Sequence, residues 1–556
     1  MNQYRDFEND QNTFSYAEGA KFLGKLHENH QHYVPIVDSA IYAPNPENAS
    51  DAYPTFDRGV EADAFMFDAE GDLYIGAVWP GYTVFPDWVG GVLNCTRTLE
   101  WWVNELATWY KNVSFDGIWI DMSEVSSFCV GPCGKHNLTL NPVHPDFSLP
   151  GEPGNLVLDF PEGFNLTNAT EASSASYAAS TQATPLATGT SSSASTSTSS
   201  SSTSTSYLHT TPTPGIREIN YPPYAINNVQ GDLAVHAVSP NATHHGGTLE
   251  YDFHNLNGHL ILNATYAALL DIFPGLRPFI IGRSTFAGSG RVAGHWGGDN
   301  ASKWYYMFFS IPQALSFSLF GIPMFGVDTC GFNGNSDMEL CARWMQLSAF
   351  FPFYRNHNVL AATPQEPYVW AEVAESSRSA MRIRYALLPY MYTLFANANA
   401  KGDTVMRALA WEFPDEPWLR DADRQFLLGA AVMVTPVLEQ GADTVGGVFP
   451  GTGKGTVWYD WYNGTSVSEG LKTGENVTIA APLGHIPVYL RGGYVLPLQE
   501  PGMTTFESRR NPWAVVVALD KQGEAKGELY LDDGESLKPE EVTWVQVSIT
   551  TARDVE

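Results

Sequence analysis

Two carboxylates three residues apart, Asp121 and Glu124, close the short apolar run Gly117-Ile118-Trp119-Ile120. The run reads as a buried strand, and an acid at its end is costly unless it is partnered or put to use. Parallel α/β barrels carry their catalytic groups at the C-terminal ends of strands; an Asp that caps the next helix is the competing reading. A further acid, Asp299, follows Gly294-His295-Trp296-Gly297-Gly298, where glycines let backbone approach a ligand and Trp296 offers a flat apolar face. Arg283 follows Ile281-Gly282, and His357 follows Tyr354-Arg355-Asn356, each at another predicted strand end. Such a set suits glycoside hydrolysis, which needs one carboxylate as nucleophile and one carboxylic acid as proton donor. Taken singly, each residue has a structural reading: Arg283 as the partner of a buried acid, His357 as a satisfied core histidine, Trp79 and Trp296 as plain core. The set as a whole is harder to explain that way.

The elements that must position these residues alternate. Residues 33–38 form another apolar run ending in an acid, Asp38, and 73–79 is a strand candidate ending in Trp79. Residues 98–110 show helical spacing at Trp101/Trp102, Leu106 and Trp109/Tyr110. This is the pattern of a parallel α/β fold. It pauses in a Pro-, Gly- and Asn-rich stretch and then in the Ser/Thr/Ala tract 171–206, which has too little apolar surface to order itself. The tract reads as an insertion, spanning 126–250 in all, because alternation resumes: helix over 263–272, strands over 277–282, 321–327 and 350–354, and helix over 379–399 with Gly402 as its stop. After residue 402 short β segments at 405–413, 430–438, 457–462 and 486–496 predict an antiparallel sandwich over 403–498. Another β-rich piece, 499–556, shows strand patterns at 513–519, 529–531 and 545–549, too few for a sandwich of its own.

Sixty acidic residues against 30 basic give a net charge of −30 over 556 residues. That balance disfavours nucleic acid and anionic membrane surfaces as partners. No apolar run reaches the roughly 18 residues of a membrane-spanning helix. Asn-x-Ser/Thr sequons stand at Asn48, Asn94, Asn112, Asn137, Asn165, Asn168, Asn241, Asn263, Asn300, Asn463 and Asn476, which points to a secreted protein. The polar start Met1-Asn2-Gln3-Tyr4 is no signal peptide, so the expectation is that the true N-terminus lies upstream. The cysteines lack the paired spacing of a zinc site. Disulfides Cys129–Cys133 and Cys330–Cys341 fit an oxidising compartment, leaving Cys95 as a free buried thiol or the partner of a cysteine beyond this chain.

Four segments together carry a resemblance. Trp119-Ile120-Asp121-Met122-Ser123-Glu124, Gly282-Arg283-Ser284-Thr285-Phe286-Ala287-Gly288, Gly294-His295-Trp296-Gly297-Gly298-Asp299-Asn300 and Phe353-Tyr354-Arg355-Asn356-His357-Asn358 resemble glycoside hydrolase family 31. The Ser/Thr insertion and the continuation Ser123 to Cys129 look most like its secreted filamentous-fungal α-glucosidases, including those named α/β-glucosidases. The resemblance implies a (β/α)8 TIM barrel over 1–402 followed by C-terminal β-sandwich domains. It implies Asp121 as nucleophile, Asp299 as acid/base and Glu124 as the acid that tunes or positions Asp121. Arg283 and His357 match residues that hold hydroxyls of the sugar, and Asp38, Trp79, Trp119, Trp296, Asp328 and Phe332 match pocket-lining positions. Cys330 and Cys341 match a family disulfide. The implied reaction is exo-acting, retaining α-glucoside hydrolysis with carboxyls about 5–5.5 Å apart, Asp299 being the acid whose pKa stands above that of Asp121. No metal or cofactor is called for.

The rivals are an α-xylosidase or dual α/β-glucosidase of the same family and, in another class, a non-catalytic sugar-binding subunit, which predicts loss of Asp121 or Asp299. The family's barrel begins with strands that this chain does not contain, one carrying a sugar-binding aspartate. The sequence therefore predicts a barrel lacking its first strands and a last β domain cut short. A separate N-terminal polypeptide would complete the barrel, and the isolated chain is expected to be poorly active.

Overall fold

In the computed structural model, which describes residues 2–89, 97–129, 131–141, 233 and 236–551, the strand holding the first candidate acid runs from Ile118 to Asp121. Its side chains alternate: Ile118 and Ile120 are buried, while Trp119 and Asp121 share the other, half-buried face. It pairs in parallel with Ile36–Asp38, in a register that sets Ile36 beside Trp119 and Asp38 beside Asp121. Both belong to one compact unit, Met1–Leu23 with Val34–Ile272; Gly24–Tyr33 with Phe273–Glu556 form a second.

In the first unit, the Arg97–Tyr110 helix delivers the chain to the Asp121 strand and buries Trp101, Trp102, Leu106 and Trp109. Trp102 Nε1 donates to Thr265 Oγ1 at 3.0 Å, tying it to the Asn257–Ile272 helix. The 73–79 run is strand only over Gly76–Val78, the edge of a three-stranded antiparallel sheet with Gly81–Val84 and Ile41–Tyr42. Cys129 and Cys133 form a disulfide. Ser126 bridges Ala237 in antiparallel fashion, and Val238 N donates to Val125 O at 3.0 Å. The chain on either side of 142–232 thus meets at one place. The Ser/Thr tract 171–206 and Cys95 lie outside the described residues.

One buried ionic group holds this return. His244 Nδ1 lies 2.8 Å from Asp87 Oδ1 and its Nε2 2.9 Å from Glu250 Oε2, and Glu250 Oε1 reaches His254 Nδ1 at 2.9 Å. Burial alone would lower the His244 pKa, but the hydrogen bonds to Asp87 and Glu250 outweigh it and raise the ring to about 9. A raised histidine pKa stabilises the fold fully below the unfolded value, near 6.5, and loses that contribution as pH climbs to about 9. The loss is on the order of 3 kcal/mol. Thermal unfolding of the chain at pH 6 and pH 9 should show this decline, and His244→Gln should flatten it; an equal slope in the variant would remove His244 as its source.

In the second unit, Ile280–Gly282, Gly294–Trp296 and Phe325–Gly326 form a parallel array. Asp328–Thr329 pairs in parallel with Arg355–Asn356. The helices Trp304–Leu319 and Met338–Ser348 connect successive strands, and Cys330–Cys341 is a disulfide. Three expectations need correction. Residues 350–354 are not a strand: Arg384 donates to the carbonyls of Ala349, Phe351 and Pro352, withdrawing them from a ladder, and the strand begins at Arg355. The helix expected over 379–399 is two, Ala371–Ala386 and Leu388–Lys401, because Pro389 has no N–H to continue the first and its ring crowds the preceding turn. Residues 405–413 are strand only at Met406–Arg407. Leu409 and Phe413, four apart, enter one core with Leu427, Met433 and Trp458, so a helical turn, Leu409–Glu412, wins.

The remaining β structure divides between sheets. An antiparallel five-stranded sheet runs Met406–Arg407, Phe426–Leu428, Val432–Val434, Val488–Arg491 and Trp458–Asp460. The 486–496 run splits at Gly492-Gly493, where φ of +96° at Gly493 turns the chain. Its second half, Tyr494–Gln499, joins Trp513–Ala518, Glu524–Leu531 and Thr543–Thr550 in another sheet.

Candidate active site

The first unit presents Asp38, Trp79, Trp119, Asp121 and Glu124. Parallel register puts Asp38 and Asp121 side by side on neighbouring strand ends. Asp121 Oδ1 accepts from the backbone N–H of Met122 at 2.8 Å. Met122 itself has φ of +53°, a left-handed conformation uncommon for a residue with a side chain. Strain right after a strand-end acid is a signature of a constrained functional turn. Ser39 Oγ donates to Met122 O at 2.8 Å, fastening the ends of the two strands together. Glu124 Oε2 accepts from Ser126 Oγ at 3.2 Å, which places it in the turn that follows Asp121. Trp79 is 37% exposed and packs edge-on against Phe128 at 4.9 Å, so it is not plain core.

Sequence reasoning missed Asp6. It is buried and accepts from the Asp38 backbone N–H at 3.2 Å. Burial, and then the charge of Asp38, push its carboxyl well above the ordinary range, against the smaller opposing effect of that hydrogen bond. Tyr53 Oη donates to Asp6 O at 2.8 Å. The segment ahead of the first strand gave no periodic signal that would have marked this support for Asp38.

The second unit presents Arg283, Trp296, Asp299, Asp328, Phe332 and His357. Arg283 Nη1 lies 3.6 Å from Asp299 Oδ1, and its guanidinium is 5.9 Å from the centre of the Trp296 ring. Asp299 keeps nearly half its side chain exposed, at 46%. Gly298 makes this possible: its φ is +74°, and a Cβ there would come within 3.2 Å of Arg283 Cδ. Asp328 is buried and ion-paired to Arg355, whose guanidinium lies 5.1 Å from the Trp296 ring centre. Arg355 was quoted in the sequence without a role; its partner was not legible there. Phe332 and His357 have ring centroids 5.3 Å apart. Burial, reinforced by the charge of Arg355, lowers the His357 pKa to about 4, so the ring is neutral above that pH and can both accept and donate to hydroxyls. Gln365, also missed, is buried with its amide nitrogen within reach of the carbonyls of Gly331 (2.9 Å) and His357 (3.1 Å). It braces the two segments that carry Phe332 and His357.

Asn300, next to Asp299, is a sequon with its side chain already committed. Its Nδ2 donates to Asp328 O at 3.0 Å and its Oδ1 accepts from Phe332 N at 2.9 Å. It should therefore be unmodified, while exposed Asn48 and Asn463 are open to glycans. Mass spectrometry of the tryptic peptides checks this; a glycan on Asn300 would contradict the packing.

Acids, an arginine and aromatic faces at the C-terminal ends of parallel strands are the layout of an α/β-barrel protein with its functional groups at the strand ends. Residues 1–394 match the family model described as the glycosyl hydrolases family 31 TIM-barrel domain, and 402–496 match the family 31 C-terminal domain. The chain belongs to glycosyl hydrolase family 31. It is 64% identical over 542 residues to an α-glucosidase of Aspergillus niger, covering 97% of this chain and 53% of that protein. It is 55% identical to glucoamylase 1 of Candida albicans, covering 98% and 56% respectively. The crystal structure of a glucosidase II alpha subunit superposes with a TM-score of 0.74 at 25% identity, covering 99% of this chain and 47% of that one. The chain thus spans about half the length of the curated relatives it matches.

Proposed function

We propose that this chain carries the catalytic groups of an exo-acting, retaining α-glucosidase that releases glucose from the non-reducing ends of α-linked oligosaccharides and starch fragments. The observation that carries the reading is Asp121 held at a parallel strand end beside Asp38, in a chain 64% identical to an Aspergillus α-glucosidase. Ionised Asp121 attacks the anomeric carbon while Asp299, as the acid, protonates the leaving oxygen. The resulting glycosyl-enzyme has inverted configuration. Asp299, now a base, takes a proton from water, whose attack on the same carbon frees Asp121 and restores the α configuration. Arg283, neutral His357 and Asp38 bind hydroxyls of the bound glucose, Trp79, Trp119 and Phe332 supply apolar faces for its C–H surfaces, and Trp296, which the structure buries as core at 1% exposure, backs Arg283 and Arg355. A sugar hydroxyl in place of water gives transglucosylation by the same steps.

The exposed sequons at Asn48 and Asn463 and the two disulfides support a secretory route for this enzyme. The test is a panel of p-nitrophenyl α- and β-glucosides and α-xyloside at acidic pH, run on the chain with and without an N-terminal polypeptide from a relative. Release from the α-glucoside at least about tenfold faster than from the others, a barrier difference of about 1.4 kcal/mol, is expected. Comparable β-glucoside or α-xyloside rates would favour the dual or xylosidase specificity. Binding without turnover in every arm would favour a sugar-binding subunit.

A further inference from the structure

The geometry points to a divalent-cation site of the zinc type built from Asp68, Asp72 and His136, all in the first unit. One ligand atom from each of the three lies within 4.8 Å of the others. The Asp68 carboxyl is buried, and its two oxygens are treated differently. Oδ1 accepts from the backbone N–H groups of Glu70, Gly71 and Asp72 at 2.8–2.9 Å. Oδ2 is buried and accepts no hydrogen bond among the described residues. A buried carboxylate oxygen has two lone pairs to satisfy, and a single neighbour does not satisfy both. Oδ2 faces His136 Nδ1 at 3.2 Å, and the exposed carboxylate of Asp72 closes the third side.

Two carboxylate oxygens and an imidazole nitrogen are a donor set that Zn²⁺ takes, with water completing the shell. A plain Asp68–His136 ion pair is the simpler alternative, and it leaves Asp72 without a part. The place in the fold gives the cation something to do. The 68–72 turn is anchored by Thr243 Oγ1 donating to Asp68 O at 3.1 Å and leads to the Gly76–Val78 strand and Trp79. His136 follows the Cys129–Cys133 disulfide on the segment that continues from Asp121 and Glu124. Along that segment, Cys133 N donates to Ile75 O and Phe128 N to Ala77 O, each at 2.7 Å. A cation shared by Asp68, Asp72 and His136 fastens this seam at its outer end.

The experiment is isothermal titration of the chelator-stripped full chain with ZnCl2 at pH 7, alongside CaCl2. His136→Ala and Asp72→Asn are the variants, since both side chains are exposed and neither substitution disturbs the core. Expected is one Zn²⁺ site of the highest affinity, weakened at least about tenfold in each variant, with no comparable Ca²⁺ binding. Thermal unfolding should rise on Zn²⁺ addition in the wild type and not in Asp72→Asn. No Zn²⁺ binding by the wild type would reduce the group to an ion pair, wild-type Zn²⁺ affinity in Asp72→Asn would place the cation elsewhere, and Ca²⁺ binding indifferent to His136→Ala would replace it with an all-oxygen site; any of these overturns the proposal.

Discussion

Asp121→Asn is expected to lower kcat on p-nitrophenyl α-glucoside by on the order of 10⁴-fold or more, a barrier increase of about 5.5 kcal/mol. The amide has nearly the shape of the carboxylate, and its oxygen can keep the hydrogen bond from Met122 N, 2.8 Å in the wild type. The fold should therefore survive with a stability change within about 1 kcal/mol. What is lost is the electron pair that forms the bond to the anomeric carbon. The same logic gives a stereochemical readout. In Asp121→Gly the space left by the carboxylate admits azide, which attacks from the nucleophile's face and yields β-glucosyl azide from an activated α-glucosyl fluoride. An Asp121→Asn enzyme that turns over near the wild-type rate would remove the double-displacement mechanism.

Asp299→Ala should behave differently, because the acid is needed only where the leaving group cannot depart as a stable anion. On maltose the loss should be on the order of 10²–10⁴-fold, the usual worth of general acid–base catalysis. On p-nitrophenyl α-glucoside the first step needs little protonation, so the variant should form the glycosyl-enzyme and stall for want of a base. Both kcat and KM should then fall together, since the accumulating intermediate lowers KM. Azide needs no deprotonation. It should restore turnover and give α-glucosyl azide, the opposite anomer from that expected of Asp121→Gly. Equal losses on the two substrates, without azide rescue, would take the acid/base role away from Asp299.

Much of this arrangement was legible in the sequence wherever chemistry and periodicity agreed. Ile118 and Ile120 alternate with Trp119 and Asp121, so the run shows both a strand and the side from which its acid emerges. The pairs Cys129–Cys133 and Cys330–Cys341 were equally readable, each joining cysteines near in sequence. Failures came where a distant partner decided the outcome. Residues 350–354 are apolar enough for a strand, but Arg384, some thirty positions downstream, claims their carbonyls. The 405–413 run alternates well enough on paper, yet the core selects Leu409 and Phe413 as an i,i+4 pair. Asp6 and Gln365 had no signal because their work is to brace backbone elsewhere, and a hydrogen bond to a remote main chain leaves no mark on composition or period. Arg355 sat inside a quoted motif, but only its ion pair with buried Asp328 shows why an arginine stands there.

The most direct test of Asp121 as the nucleophile is to catch the covalent intermediate. A 5-fluoro-α-glucosyl fluoride, which forms the glycosyl-enzyme faster than water clears it, is incubated with the enzyme, and the quenched protein is digested and sequenced by mass spectrometry. Expected is a single fluoroglucosyl adduct on the peptide containing Asp121, absent from Asp121→Asn. An adduct on any other residue, or no adduct from an enzyme whose first released product is β-glucose, would contradict the retaining mechanism assigned to this strand end.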